Sequence, residues 1–562
     1  MLLASAMRSW YSCADGIETP RALAQAGPQA DPRCAIGQCS GLCQGTGVRA
    51  IPDATNDPAP GTEVTNDEVA RGFGSSMLAR LGGVIEVVAQ PLYVAMFGLA
   101  SFGLYAVLWS LVNLVENFAD LGMTSAMQRT VPQAASRREQ AHAFRAALLL
   151  GITPCLALAI IAVVFAPQLA ALFNAAPADA ARLTGAITLF AWALPLWAFV
   201  EITTSALRSQ RVFGAEIRLR VFWEQLLRLG FAILFWLLGW GFVGLLVAHM
   251  LSLAVTAALA LRLTFRYFSM ADLLRGRAEG PIFWRTFRAG LAVMPANLSQ
   301  RVYSDGGAII LNWILPGTAG AVAAGLFTIA RKISSLIQTI RLGFAYVLSP
   351  LASAASQEDR EQVRRIYGFA TRVLTAIALP AGLVLAAATP AVLALFGREA
   401  AVAAPAVVIL IGSRIVEALA GAAQPIQQVI SSHRAQLIAA NAGMVVAGGV
   451  GWYLLPDWGL TGMAIAVTAG LCVGAILPVI QMAYGEGLNP FTAPYGRTIL
   501  VALAIAVTGA ALAHAANALP DAAALASGLA LMLGAAWAAC RLALPLSDRQ
   551  ALGKTARALR LV

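Results

Sequence analysis

From about residue 77 to residue 543 the chain is one apolar run after another, each long enough to cross a bilayer. About 20 apolar residues in a helix span the hydrocarbon core, and a segment inside lipid must satisfy its own backbone hydrogen bonds. The pattern therefore leaves one fold class open, an all-α membrane protein. The runs lie near 77–98, 103–125, 144–166, 183–206, 221–239, 241–262, 289–314, 317–349, 366–388, 402–430, 436–455, 460–483, 497–516 and 522–543. Fourteen transmembrane helices are expected. Composition agrees: 59% of the 562 residues are hydrophobic and only 12% charged, about half the charge of an ordinary soluble domain.

Orientation follows from the arginines. The net charge is +11, and Lys332 and Lys554 are the only lysines. Among the short odd-numbered links, basic residues occur only at Arg182 and Arg398. The even-numbered links are arginine-rich, from Arg129, Arg137 and Arg138 through Arg218, Arg220, Arg285 and Arg288 to Arg434, and the C-terminal tail adds Arg541, Arg549, Arg557 and Arg560. Basic loops stay on the cytoplasmic side, so both termini are expected in the cytoplasm.

The chain also resembles itself. Gly103-Leu-Tyr105 at the start of the second run matches Gly325-Leu-Phe327 near the start of the eighth, and Leu121-Gly122 matches Leu342-Gly343. An offset of six helices preserves orientation, which makes the halves parallel repeats about an axis along the membrane normal.

Ionisable groups at bilayer depth cost about 2.5 kcal/mol or more, so each needs a reason. The seventh run carries Asn297, Gln300, Arg301, Ser304, Asp305 and Asn312 at helical spacing, and the tenth carries Arg414, Glu417, Gln424 and Gln428. The second holds Asn113, Glu116, Asn117 and Asp120, and the first Arg80, Glu86 and Gln90. Pairs three or four apart, Arg301 with Asp305, Arg228 with Glu224 and Arg414 with Glu417, can neutralise each other on one helix and merely tie helices together. The eighth run is different: Arg331, Lys332 and Arg341 share it with no acid. A water-filled, cation-lined cavity explains them better than local pairing; an acid of the other half, Glu116 or Asp120, would be a partner across helices.

Other features carry less. Residues 1–70 lack apolar periodicity and a signal-peptide pattern, and are expected to be a disordered extension or translated sequence ahead of the true start. Cys34, Cys39 and Cys43 do not have a metal-site spacing, and Cys155, Cys472 and Cys540 stand alone in apolar runs as small core residues. His249, alone in the sixth run, reads as a packed or hydrogen-bonded side chain. The link from Arg262 to Arg288 interleaves aromatics with arginines, as in an amphipathic surface helix. No Walker, HExxH or GxSxG motif occurs, no long external loop carries paired acids, and no basic aromatic domain suggests nucleic-acid binding. A non-enzymatic carrier without metal or cofactor is the expectation.

Residues "RGFGSSMLARLGG" and "FGLASFGLYAVLWSLVNLVENFADLGMTSAMQR", with "RVYSDGGAIILNWILPGTAGAVAAGLFTIARKISSLIQTIRLGFAYVLSPLASAAS" in the second half, resemble bacterial Wzx-type polysaccharide flippases of the multidrug/oligosaccharidyl-lipid/polysaccharide (MOP) exporter superfamily. The resemblance covers residues 71 to about 485. It implies two parallel six-helix lobes around a central cavity, 71–266 and 289–485, joined by a cytoplasmic linker at 267–288, with two further helices and a basic tail in 486–562. It also implies movement of an undecaprenyl-pyrophosphate-linked oligosaccharide across the bacterial inner membrane by alternating access, with a polysaccharide polymerase as a candidate partner. Arginine suits a pyrophosphate because its planar donors bind it in pairs. On that ground Arg331, Lys332 and Arg301, then Arg80 and Arg414, are the candidate phosphate ligands. Asn113, Asn117, Asn297, Gln424 and Gln428 are candidates for sugar contacts. Glu86, Glu116, Asp120, Asp305 and Glu417 are candidates for coupling to H⁺ or Na⁺; they also leave the cavity's net charge open, which suits an ion-coupled drug/cation antiporter as well. A membrane-embedded glycosyltransferase or polymerase is the remaining alternative.

The arginine asymmetry is testable. Cysteines placed at Ala178 and Asp457 should react with an impermeant thiol reagent added from the periplasm, and one at Ala278 should not; reversed labelling would overturn the orientation, and a mixed pattern the span count.

Overall fold

A computed structural model describes residues 83–210, 217–275, 280–356, 360–430, 433–491 and 493–561. The expected extension over residues 1–70, its cysteines and Arg80 lie outside them. The first half comprises α1 (Gly83–Phe97), α2 (Leu99–Ala119), α3 (Met123–Thr130), α4 (Arg137–Val164), α5 (Leu183–Phe190), α6 (Ala193–Ser209), α7 (Glu224–Leu237) and α8 (Gly241–Tyr267). The second comprises α9 (Pro281–Ile314), α10 (Gly317–Ser356), α11 (Arg360–Ala387), α12 (Ala404–Leu419), α13 (Ala423–Ile430), α14 (His433–Gly485), α15 (Ala493–Ala516) and α16 (Asp521–Leu542). Among the described residues ten helices are long and apolar enough to cross a membrane. The molecule is an all-α, multi-pass membrane protein.

The expected runs fall on helices, with departures where the chain has a reason to bend. The second run ends early because Leu121 (φ 53°) and Gly122 (φ 73°) turn the chain into α3. Asp120 holds that turn, accepting the backbone N–H groups of Gly122 at 2.6 Å and Thr124 at 3.1 Å. The fourth run breaks between α5 and α6, with Pro195 in the first turn of α6. The tenth breaks at Gly421 (φ 70°). The eleventh and twelfth form one helical stretch, α14, turned at Gly459 (φ 46°, ψ −119°). Over the described residues of the link between the halves, α8 runs on to Tyr267, a short helix follows at Met270–Arg275, and α9 begins at Pro281. Phe268 is buried in that link, stacked on Phe144 at 4.4 Å, because the linker's apolar residues fill the gap below α4.

The outside is apolar and the inside partly polar, as lipid requires. Trp452, Tyr453 and Val445 are 89%, 79% and 74% exposed, whereas His249, Asn312, Ser252 and Thr256 are fully buried. Helix α11 is the most enclosed of the second half. Helices α15 and α16 pack on it and on each other, and Arg372 of α11 grips Asp548 beyond α16 through two bonds of 2.6 and 2.9 Å.

The halves meet along α2, which packs on both α9 and α10. Gly103 of α2 and Gly325 of α10, the two residues paired by the repeat, touch each other. A methyl on Gly103 would overlap the Ala321 carbonyl, and one on Gly325 would lie 3.0 Å from the Gly103 Cα. At the end of the bundle that carries the short links, Asn174 and Asn312 lock the halves together. Each donates its side-chain amide to the other's carbonyl at 2.7 Å, and Asn174 Oδ1 accepts the Gly317 N–H at 3.0 Å. At the arginine-rich end, Arg285 of α9 binds Glu139 of α4 at 2.7 Å and Asn297 donates to Ser125 at 2.9 Å.

Gly103→Ala should therefore destabilise the protein by about 1–3 kcal/mol, the usual cost of overpacking. Gly325→Ala should cost less, and Gly448→Ala, which has open space around it, should be neutral or slightly stabilising. Thermal unfolding in detergent gives the order directly.

Candidate functional site

A cavity of about 380 Å³ lies between the halves, walled by α1, α2, α6, α7, α9 and α10. Among the described residues five cations line it, Arg220, Arg228, Arg301, Arg331 and Lys332, with two carboxylates, Glu224 and Asp305. Cations still outnumber carboxylates when Glu201, which binds Arg220, is added. Polar and aromatic groups, among them Asn113, Thr328, Tyr105 and Trp109, fill the wall between them.

Its centre is Asp305. One carboxylate oxygen lies 3.9 Å from Arg301, one turn away on α9, and the other lies 3.6 Å from Arg331 on α10. The Asp305 side chain is 5% exposed, while Arg301 and Arg331 keep 33% and 27% of theirs. The acid is thus sunk in the wall and the two guanidiniums stand above it, reachable from the cavity. One negative charge divided between two positive ones leaves a local excess, and Lys332 lines the same cavity. The expected pair of Arg301 with Asp305 forms. Arg331 meets Asp305 on α9, and not Glu116 or Asp120 of the other half, as its acid among the described residues.

Two other arginines are held differently. Arg220 grips Glu201 through both amines, at 2.7 and 3.0 Å, and lies 4.7 Å over the Trp197 ring. Arg228 pairs with Glu224 on its own helix, as the four-residue spacing suggested, and lies 5.8 Å from the Trp109 ring. Its side chain is only 5% exposed. These two are held against the wall, while Arg301 and Arg331 keep more of their side chains open to the cavity. His249 sits behind them, fully buried, 3.1 Å from the Tyr105 hydroxyl and 4.2 Å from the Trp109 ring.

A second cavity of about 300 Å³ shares Arg301 with the first and contains Glu116, Asn117, Glu201 and Asn297. Glu116 is 2% exposed, and its Oε1 has no hydrogen-bond partner among the described residues. Asp120 is elsewhere, capping α3. Arg414, Glu417 and Gln424 form a separate cluster inside the second half, where Glu417 binds Arg414 at 2.7 Å and Arg341 at 3.5 Å, and Gln424 accepts from Arg341 at 3.2 Å. Arg341 thus also finds its acid on a neighbouring helix. The side chains of Glu86 and Gln428 lie outside the described residues. The sequence reading assigned Arg220 to a link and passed over Glu201. The signal available was Glu201 itself, a lone acid in the fourth apolar run, whose cost called for a cation nearby.

Residues 96–405, more than half of the chain, match the family described as "Polysaccharide biosynthesis protein". No curated protein matches the chain by sequence. Among solved structures, the lipid II flippase MurJ in an inward closed conformation matches with a TM-score of 0.62 at 11% identity, over 82% of this chain and 97% of that one. An inward-facing multidrug resistance MATE family transporter of the MOP superfamily matches with a TM-score of 0.58 at 18% identity, over 75% of this chain and 100% of that one. A MOP superfamily transporter from Pyrococcus furiosus, whose binding pocket is described as of reverse polarity, matches with a TM-score of 0.54 at 17% identity, over 76% of this chain and 96% of that one. The chain therefore belongs to the polysaccharide biosynthesis protein family and has the fold of the MOP superfamily membrane transporters.

Proposed function

We propose that this protein is a flippase that carries an undecaprenyl-pyrophosphate-linked oligosaccharide across the bacterial inner membrane by alternating access, for export of a surface polysaccharide. Both termini then lie in the cytoplasm, and the lobes are residues 71–266 and 289–485, with α15, α16 and the tail appended. The observation that carries this reading is the pair Arg301 and Arg331, exposed to the cavity between the halves above a single shared carboxylate, Asp305. A pyrophosphate leaving water needs fixed positive charge, and two guanidiniums on adjacent helices offer paired donors to its oxygens. A cation exporter would need the opposite balance, which argues against the drug/cation antiporter. Asn113 lies in the same wall and can donate to sugar hydroxyls; Asn117 and Asn297 line the second cavity behind Arg301.

Ion coupling fits beside this reading. Glu116 has an unpartnered buried oxygen in the cavity that Arg301 also borders. Arg301 also borders Asp305, so a movement of Arg301 toward a bound phosphate would change the surroundings of both acids.

The purified protein in liposomes should move a lipid-linked oligosaccharide without changing its covalent structure; bond formation or cleavage would return the enzyme alternatives. Arg331→Ala and Lys332→Ala should each lower transport roughly ten- to a hundredfold, the loss of one charge-assisted contact, with insertion and melting temperature nearly unchanged. Arg331→Lys should keep part of the activity, and Asp305→Asn should keep substrate binding because it releases both arginines. Full transport by the Arg331→Ala/Lys332→Ala double variant would sink the proposal. If Glu116 couples a proton, Glu116→Gln should abolish the dependence of transport on a pH gradient while leaving substrate binding intact.

A further inference from the structure

At the arginine-rich end, a cleft of about 500 Å³ opens between the end of α3 and the start of α9. Arg129 enters it from the first half, Arg285 and Arg288 from the second, and no carboxylate lines it among the described residues. Arg285 is neutralised by Glu139 at 2.7 Å. Arg129 and Arg288 have no carboxylate partner among the described residues. Two uncompensated guanidiniums converging on one cleft from opposite halves repel each other, and an anion between them reverses the sign of that interaction.

The setting identifies the kind of anion. Trp284, 56% exposed, lines the same cleft, with Phe283 and Phe287 beside it at ring distances of 5.8 Å. Exposed tryptophan next to a basic cluster at the end of a bundle marks the headgroup layer of a membrane. A soluble anion would gain nothing from this apolar rim, whereas a lipid gains from both parts. We propose that the cleft binds the phosphodiester headgroup of an anionic phospholipid of the surrounding leaflet, and that the bound lipid bridges the two halves through Arg129 and Arg288. Basic pockets between membrane helices recognise lipid headgroups by this chemistry. The ligand is a resident lipid and not the cargo, because the cleft is lined by none of the residues of the central cavity. It adds a hold to the contacts at this end, Arg285 with Glu139 and Asn297 with Ser125, so anionic lipid favours the arrangement in which they are made.

The test uses the full chain in nanodiscs of phosphatidylcholine with a fixed fraction of phosphatidylglycerol, followed by native mass spectrometry of the lipids that stay bound. The wild type should retain phosphatidylglycerol, and Arg129→Gln/Arg288→Gln should weaken that retention roughly tenfold or more, as the loss of charge-assisted contacts implies. Arg434→Gln/Arg557→Gln removes the same charge from exposed positions outside the cleft and should leave retention unchanged. Melting temperatures in pure phosphatidylcholine should agree among the three proteins, and phosphatidylglycerol should raise that of the wild type and of the outside variant only. Equal loss in both double variants would reduce the effect to general surface charge and overturn the proposal. So would displacement of the lipid by excess inorganic phosphate, which would assign the cleft to a soluble anion.

Discussion

A charge inside a membrane must be answered by another charge or by water, and the interior of this protein is arranged around that demand. Asp305 shows how. A carboxylate 5% exposed would be untenable alone; between Arg301 and Arg331 it becomes the anchor that fixes two guanidiniums at the wall of a hydrated cavity. The pairings of Arg220 with Glu201 and Arg228 with Glu224 follow the same logic, with Trp197 and Trp109 beside the cations. The difference lies in exposure: the Arg228 side chain is 5% exposed, whereas Arg301 and Arg331 keep 33% and 27% of theirs beside the shared acid.

Arg301 gives this arrangement reach. It borders both cavities, so the state of one is felt in the other without any large movement of the backbone. Its helix, α9, also touches the other half along its length, through Arg285 near its start, Asn297 at its middle and Asn312 near its end.

Much of this was legible in the sequence. The apolar runs gave the fold class because lipid permits so few alternatives, and the polar stripes on the second, seventh and eighth runs led to Asn113, Arg301, Asp305, Arg331 and Lys332, which the structure brings to one cavity. What periodicity could not supply was pairing between helices. Steps of three and four report neighbours on one helix, so Arg228 with Glu224 was visible, while Arg331 with Asp305 and Arg341 with Glu417 depend on which helices lie side by side. Arg220 was misplaced for a related reason. It stands just ahead of an apolar run, where a loop arginine would also stand, and its wide π-type turn, Ile217–Trp223, brings it back into the wall. Asp120 illustrates the opposite error, a buried acid that looks available for chemistry but whose two oxygens are taken up by the backbone of a turn.

The contact of Gly103 with Gly325 joins equivalent positions of two parallel halves backbone to backbone, with no side chain to give way, so a tilt of one helix on the other pivots there. Helix α10 has 40 residues, about 60 Å at 1.5 Å per residue, and Gly325 stands about 12 Å from its start and about 47 Å from its end. The glycine pair is then a fulcrum placed close to one end of a long lever. Any tilt of α10 against α2 about that point is geared by a factor of about four, so a displacement of a single ångström at the short-link end becomes several ångströms at the arginine-rich end.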